Sequence, residues 1–386
     1  MKLTTDFECG SGELRQVGDA HWRLETVADA CGYNKYFCFE IENEKDAPTV
    51  ALKVDIFPDP RLGEKSHFMG HFPSSIWYSN GDWQRWVPLR NTWEDAVSFH
   101  DDHVTLKIPV PPGGKMQIAT NVPYRYSALC QWMELLQKSH KASLQIDSIG
   151  KSHEGRNIPV LRLGEGTRRF LVVAGQHASE HSGVWASQGI VEYLLSHIAE
   201  ARRIREEFDI AVVPMLNVDG NVRGRSGSSP QQFQHNNSLD FEGTGRKANP
   251  AYIENALLWK WIGESFHPDL LLHFHGYLGR RRIGDEPGDG IYLPARRPDE
   301  SDDAPRWKLQ QAVMDRMMFD TCGNSAHLGI FGETPSKFLD TRLVEAFDTV
   351  TVCYECNCGT TGAWSQLRRG TQAFIAMTRA VLLDSI

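Results

Sequence analysis

Short apolar or alternating runs, bounded by Gly, Pro, Asn and Asp, fill the first part of the chain. They include KYFCFEIEN, TVALKVDIF, SSIWYSN, QRWVPL, HVTLKIPV and KMQIATNV. Strand-sized runs at this spacing, with no long helical period between them, are typical of an all-β sandwich. The pattern predicts an N-terminal β-sandwich domain over residues 1–122.

The pattern changes at Pro123. Beyond it, apolar residues recur at helical spacing through ALCQWMELLQKSHK, a helix that Ser127 is expected to cap. Near-continuous apolar strands then alternate with helices, and they include RRFLVVAG, FDIAVVPML, DLLLHFHG and DTVTVCYECN. Such strands are buried on both faces of a sheet. The sequence therefore predicts an α/β chain, in which residues 123–386 form a three-layer α/β/α domain with a mixed central sheet.

Composition and charge narrow the class of protein. The chain has 386 residues and is 41% hydrophobic, so it is long enough to form two domains, each with its own hydrophobic core. Its net charge of −8 makes nucleic acid an unexpected partner. No apolar run follows Lys2, and no segment approaches the roughly 20 apolar residues of a membrane span, so we expect neither a secretory signal nor a membrane partner. Eight cysteines without such a signal indicate reduced thiols and a cytoplasmic location.

Three potential metal ligands lie within the five residues HASEH. His177 directly follows a predicted strand, at the sheet edge where α/β proteins place their sites. Glu180 comes three residues later, at the start of a helix, and both side chains can reach one ion. His181 is the alternative ligand, but on a helix it would point away once Glu180 is used. We therefore expect His181 to be a capping or surface residue.

A third ligand is expected from the end of another strand. In PDLLLHFHGYLG, His275 precedes Gly276, where the strand is expected to stop. His273 would lie one pleat deeper, as a hydrogen-bonded core residue. Two histidines and one glutamate leave a coordination position open for water, which is the arrangement of a catalytic zinc, here one ion per chain.

A water activated by such a metal also needs a base. Glu355 lies within the apolar strand TVTVCYECN, where a carboxylate is costly unless it is paired or has a chemical role. From its position alone, Glu355 is either part of a buried salt bridge or the general base.

Five segments occur in an order that resembles the zinc carboxypeptidase family, the carboxypeptidase A-like metallopeptidases. They are GKSHEGRNIPVLRLG, GQHASEHSG, VVPMLNVDGNVRGR, LLLHFHGY and CYECNCGTTG. Earlier segments, FECGSGELRQV, KYFCFEIEN, IWYSN with GDWQRW, and ATNVPYRYSAL, are similar to the N-terminal domain of the cytosolic carboxypeptidase subgroup. The resemblance covers nearly the whole chain and implies hydrolysis of C-terminal peptide bonds, with a peptide or protein tail as substrate.

The resemblance also implies residue roles at the metal. His177, Glu180 and His275 would bind zinc. Glu355 would be the general base, taking a proton from a metal-activated water and delivering it to the leaving amine.

Further roles follow from the same resemblance. Arg156 would lie along the substrate cleft, and either Arg223 or Arg225 would hold the oxyanion. Asp240 would orient the first zinc histidine from behind.

The sequence departs from the family where a substrate's terminal carboxylate is bound. The family's Asn-Arg pair falls here on Glu242 and Gly243, and a glutamate would repel that carboxylate. Arg246, three residues later, could replace the family arginine as the partner of that carboxylate. Arg280, Arg281 and Arg282 follow the third ligand and are either a solvated loop or a clamp for acidic substrates. Glutamate-rich tails, the substrate class of the cytosolic subgroup, are one such substrate.

Two other functions stay open. A zinc amidase or deacylase acting on a small N-acyl amino acid or a cell-wall peptide would share the metal and base without needing the Asn-Arg pair. A non-catalytic binding protein on a peptidase scaffold is the other alternative, although it would not require Glu355. The sequence singles out no purely structural role.

Overall fold

A computed structural model describes most of the chain. The described residues are 1–29, 36–60, 76–82, 85–227, 253–277, 282–283, 286–297, 299–322, 328–334, 338–358 and 362–383.

The N-terminal third consists almost entirely of short strands. In chain order they are β1 (Lys2–Thr4), β2 (Glu13–Gly18), β3 (His21–Glu25), β4 (Cys38–Glu42), β5 (Val50–Phe57), β6 (Trp77–Ser79), β7 (Val87–Pro88), β8 (Val97–Phe99), β9 (Val104–Val110) and β10 (Lys115–Ala119). They form two five-stranded sheets, ordered β1-β4-β10-β6-β7 and β2-β3-β5-β9-β8. One short helix, α1 (Leu89–Thr92), interrupts the predicted all-β pattern.

The two sheets share one hydrophobic core, as in a sandwich. Ile41 and Ile118 from the first sheet pack in the same cluster as Val54 and Leu106 from the second. Each of these four side chains is fully buried. The predicted N-terminal β-sandwich is therefore confirmed, and the division of the chain at residue 122 stays a prediction.

The remaining chain alternates strands and helices. The strands are β11 (Gln145–Lys151), β12 (Asn157–Leu163), β13 (Arg168–Val173), β14 (Phe208–Val213), β15 (Leu270–Tyr277), β16 (Arg282–Ile283), β17 (Glu286–Pro287), β18 (Gly290–Leu293), β19 (Gly329–Glu333) and β20 (Val350–Asn357). The helices are α2 (Tyr126–Ser139), α3 (His181–Leu195), α4 (Ala199–Glu207), α5 (Val218–Val222), α6 (Ile253–Ser265), α7 (Pro305–Cys322), α8 (Leu339–Phe347) and α9 (Ala363–Leu383).

Eight of these strands make one mixed sheet, ordered β11-β12-β14-β13-β15-β20-β18-β19. Its centre, β14-β13-β15-β20, is parallel throughout. One face packs against α3, α4, α7 and α9 and the other against α2, α6 and α8. This three-layer arrangement confirms the predicted α/β/α fold class.

Two local predictions were wrong. Ser127 does not cap α2, whose N-cap residue is Arg125 without a side-chain cap. Instead Glu8, from the sandwich region, accepts hydrogen bonds from the Ser127 amide (2.8 Å) and from its hydroxyl. A carboxylate at the first turn of a helix is favoured by the exposed N–H groups and the dipole there. In addition, β15 does not stop at Gly276 but continues to Tyr277.

Candidate metal centre

Three side chains from the HASEH segment and from β15 meet at the carboxyl end of the parallel strands. His177 lies just beyond β13, Glu180 is the N-cap residue of α3, and His275 lies in β15, next to β13 in the sheet. His177 Nδ1 lies 2.8 Å from Glu180 Oε1, and His275 Nδ1 lies 3.0 Å from Glu180 Oε2. We call these three residues the HxxE cluster.

The geometry and chemistry of the HxxE cluster fit a zinc ion. The two ring nitrogens, His177 Nδ1 and His275 Nδ1, are 3.2 Å apart. Two ligands about 2.0–2.1 Å from one tetrahedral zinc lie about 3.3 Å apart. The three residues are only 5%, 6% and 2% exposed, and two nitrogens with one carboxylate are the ligands of many catalytic zinc sites.

The electrostatics of the cluster also suit a cation. Burial raises the pKa of Glu180, but the adjacent His177 and His275 outweigh it and hold this pKa well below its usual range. Burial, together with the neighbouring His273, lowers the pKa of His275. Metal ligands must be deprotonated, so both shifts favour the forms that bind metal.

A second group of potential ligands lies one pleat deeper. It consists of His273, His275 and Cys353, which we call the thiol cluster. As expected for a hydrogen-bonded core residue, His273 is fully buried, and its Nδ1 lies 2.8 Å from Asp340 Oδ2 in α8. Burial raises the pKa of the Cys353 thiol well above its usual range, which disfavours the thiolate that a metal would need.

Glu355 lies beside the third candidate ligand. In the parallel pairing of β15 with β20, Glu355 is the register partner of His275, so both side chains project from the same face of the sheet. It is half-buried, whereas every other residue of β20 is buried. The apolar pattern of the strand suggested a carboxylate within the core, but Glu355 is in fact partly exposed.

The end of β20 is anchored by Asp289, which the sequence analysis did not identify. Asp289 Oδ1 accepts hydrogen bonds from the Asn357 amide at 2.8 Å and from Arg369 Nη1 at 2.7 Å. Its Oδ2 accepts one from the Tyr354 hydroxyl at 2.9 Å. These bonds hold the Tyr354 side chain and the Asn357 backbone, on either side of Glu355 in the sequence. An aspartate in the polar stretch GDEPGDG gave no sequence signal of this role.

His181 is not the capping or surface residue that was predicted. It is 1% exposed, and its Nδ1 lies 3.3 Å from Asn221 Nδ2. The ring of Tyr36 meets it edge-on, with centroids 5.4 Å apart. Burial lowers the pKa of His181 to about 3, so it is neutral. The first turn of α3 is enclosed by the N-terminal sandwich region, which the sequence pattern could not indicate.

Two of the predicted arginines, Arg156 and Arg223, share Glu154 in an ion-pair network. Arg156 Nη1 lies 2.7 Å from Asp219 Oδ1, a fully buried carboxylate, and 2.5 Å from Glu154 Oε2. Arg223 is exposed, and its Nε donates to Glu154 Oε1 at 3.1 Å. The role of Arg156 along a cleft stays a prediction.

Arg225 differs from Arg223. It is half-buried, and its buried Nε makes no hydrogen bond within the described part of the chain. The next residue, Ser226, accepts hydrogen bonds through its carbonyl from Ser179, between the two ligands of the HASEH segment. Arg225 therefore directly precedes a residue that binds the segment between His177 and Glu180, and its Nε has no hydrogen-bond partner among the described residues.

The other predicted site residues lie outside the described residues. They are Asp240, Glu242, Gly243, Arg246, Arg280 and Arg281. Six of the described cysteines are free: Cys9, Cys38, Cys130, Cys353, Cys356 and Cys358. No described helix has the length and apolarity needed to span a membrane.

Comparison with known proteins shows which family the chain resembles. The sequence model of the zinc carboxypeptidase family matches residues 129–251. The fold matches a metallo-carboxypeptidase from Burkholderia cenocepacia with a TM-score of 0.80 and 16% identity, covering 98% of each chain. The resemblance to the zinc carboxypeptidase family is thus confirmed. The zinc implied by that resemblance agrees with the ligand types gathered in the HxxE cluster.

The curated relatives are longer than this chain and match it over only part of their length. Cytosolic carboxypeptidase 6 of Mus musculus is 26% identical over 250 residues, which cover 61% of this chain and 46% of the relative. A protein named inactive metallocarboxypeptidase ECM14, from Ajellomyces capsulatus, is 33% identical over 127 residues, covering 29% of this chain and 21% of the relative. The chain spans less than half the length of these curated relatives.

Proposed function

We propose that the chain is a zinc-dependent metallocarboxypeptidase that hydrolyses C-terminal peptide bonds, with one zinc held by His177, Glu180 and His275. One observation carries the proposal. The candidate ligand atoms of these three residues all lie within 4.8 Å of one another, and Glu355 is the register partner of His275 on the adjoining strand.

The proposed chemistry divides between the metal and the chain. A zinc ion in the HxxE cluster would lower the pKa of a water molecule and polarise a substrate carbonyl. Glu355 accepts the proton of the attacking water and delivers it to the leaving amine. Its partial exposure supports this role, because a base must reach solvent and substrate.

Arg225 is our choice for stabilising the negative charge that develops on the carbonyl oxygen. Arg225 is half-buried and its buried Nε has no hydrogen-bond partner within the described residues, whereas Arg223 is exposed and paired with Glu154. A partly desolvated donor stabilises charge more strongly than a solvated one.

The substrate's terminal carboxylate needs another partner than the family's Asn-Arg pair, since Glu242 and Gly243 occupy those positions. Arg156 is already paired with two carboxylates and is therefore less available. We assign the clamp to Arg246, Arg280 and Arg281, whose charge suits acidic, glutamate-rich tails. The names of the curated relatives support a cytosolic location for this activity.

A zinc amidase or deacylase on a small N-acyl amino acid or cell-wall peptide is the second candidate. The Glu242–Gly243 departure favours it, because such a substrate does not need a free α-carboxylate. A non-catalytic binding role is the third, and the relative named inactive keeps it open. The presence of the three ligands together with Glu355 weighs against it.

A peptide pool separates the three functions. Zinc-loaded protein is incubated with peptides that carry free or amidated C-termini, each with and without a glutamate tail, and the products are identified by mass spectrometry. Stepwise shortening from free C-termini alone is the expected result. Cleavage that ignores the terminus would favour the amidase. Binding without cleavage would favour the non-catalytic scaffold.

A further inference from the structure

A buried asparagine joins the N-terminal sandwich region to the metal loop, His177–Glu180. We propose that Asn121 is a positioning residue that holds this loop in its metal-binding shape, which makes the sandwich region part of the metal centre. The inference rests on the proposed metal function of the HxxE cluster.

Asn121 lies just after β10 and is 1% exposed. Its Nδ2 donates a hydrogen bond of 2.6 Å to the carbonyl oxygen of Ser179. Ser179 is the residue immediately before Glu180. The amide and hydroxyl of Ser179 donate to the Ser226 carbonyl at 3.0 and 2.7 Å. The peptide groups on both sides of Ser179 are therefore held, one by Asn121 and the other by Ser226.

The loop itself offers little internal restraint. Between its two ligands it has one backbone hydrogen bond, from the Glu180 amide to the His177 carbonyl at 3.2 Å. A metal site tolerates errors of only about 0.2 Å in ligand distance. The shape of the loop must therefore be imposed by its surroundings, and Asn121 supplies a bond that rotation of the Ser179–Glu180 peptide would break.

Two more residues of the N-terminal region reach the same place. Asp29 Oδ2 accepts a hydrogen bond of 2.6 Å from the amide of Gly227, next to Ser226. The Tyr36 ring packs edge-on against His181, next to Glu180. Contacts from three separate points of the N-terminal region thus converge on the residues that flank the ligands, which a simple covalent connection between two domains would not need.

Asn43 offers a matched control within the same sandwich. It is 3% exposed and lies just after β4. Its Nδ2 donates to the carbonyls of Pro48, Val110 and Pro111 at 3.1, 3.3 and 3.1 Å. Both asparagines are buried amides that bind main-chain carbonyls, but only Asn121 binds the metal loop.

The experiment compares Asn121→Asp with Asn43→Asp in the full chain. Each change keeps the size of the side chain and replaces the amide donor with an acceptor. Zinc affinity is measured by competition with a chromogenic chelator, ligand geometry by the visible spectrum of the Co²⁺ form, and stability by urea unfolding of the metal-free protein. We expect both variants to lose stability. Only Asn121→Asp should weaken zinc binding, by about 10–100-fold as for other supporting residues, and alter the Co²⁺ spectrum.

Unchanged zinc affinity and an unchanged Co²⁺ spectrum in Asn121→Asp would overturn the inference. An equal loss of affinity in Asn43→Asp would also overturn it, because general destabilisation would then explain both. If Asn121→Asp does not fold, Asn121→Ala and Asn43→Ala replace the pair with the same outcomes. Failure of the unaltered protein to bind zinc is a distinct result, which overturns the proposed metal function and the inference with it.

Discussion

Two groups of potential metal ligands share His275 and lie one pleat apart on β15. In the HxxE cluster, a carboxylate with a lowered pKa lies between two ring nitrogens. In the thiol cluster, the third member is Cys353, whose burial keeps it protonated, and His273 is held by Asp340. Both groups have ligand-type residues within reach of one ion, and only the first has them in a metal-binding form.

The difference teaches that depth along a strand decides the role of a histidine. At the strand's carboxyl end, the side chain meets the loops after neighbouring strands, and Glu180 arrives there from the start of α3. One pleat deeper, the side chain meets packed core, here α8. We interpret the thiol cluster as a support that orients His275, whose ring lies 4.2 Å from that of His273.

The largest effect is expected from removing the shared histidine. His275→Ala should abolish zinc binding. His273→Ala should keep zinc but weaken its binding by about 10–100-fold, because it removes only a supporting contact. Metal analysis after dialysis and chelator competition measure both. Complete zinc loss in His273→Ala would make it a ligand and erase the distinction between the clusters.

The next effect concerns Glu355, the proposed base beside the HxxE cluster. Glu355→Gln should lower turnover by about 10²–10⁴-fold, because the variant cannot accept a proton. Zinc content should not change, since Glu355 is not among the proposed ligands. Steady-state kinetics on the peptide cleaved fastest, together with metal analysis, provide the test. A fully active variant would show that another group is the base.

A somewhat smaller effect should separate the two arginines near the site. Arg225→Ala is expected to lower kcat by about 10²–10³-fold, the loss typical of an oxyanion donor. Arg223→Ala is the matched control, two residues away, and an exposed ion pair such as its bond to Glu154 contributes only about 0–1 kcal/mol. The reverse ranking of the two kcat values would reassign the oxyanion to Arg223.

The smallest effect is expected at the thiol. Cys353→Ala should leave the metal content at one zinc per chain and lower the free energy of unfolding by about 1 kcal/mol, an ordinary cost for a buried substitution. Inductively coupled plasma mass spectrometry and urea unfolding give the two values. A fall from two ions to one would reveal that the thiol cluster binds a metal of its own.

Much of the fold follows from the spacing of apolar residues. The strands around KYFCFEIEN, RRFLVVAG, DLLLHFHG and DTVTVCYECN lie where their patterns predict them, because core burial fixes such periods. The hairpin of β2 and β3 was not predicted, since most of its residues are polar and partly exposed. Helix α7 was missed for a related reason, as its charged residues obscure the apolar face.

The residues of the candidate site also divide into those that the sequence pattern could identify and those that it could not. His177, Glu180 and His275 could be selected from sequence because each is positioned locally, by the end of a strand or the start of a helix. The contacts of Asn121, Asp289 and Asp340 could not, since they join segments far apart in the chain. The burial of His181 belongs with these, because its cover comes from Tyr36.

The pairing of His275 with Glu355 has a consequence for laboratory evolution. Neighbouring strands in a sheet lie about 4.8 Å apart, so the separation of these two residues is set by the sheet and not by any loop. Libraries that randomise the surrounding loops should therefore change the substrate preference of the proposed peptidase without changing the spacing of the proposed ligand His275 and the proposed base Glu355. A one-residue shift in the register of β20 would instead turn Glu355 to the opposite face of the sheet. Variants that change this register should therefore lose the pairing of Glu355 with His275.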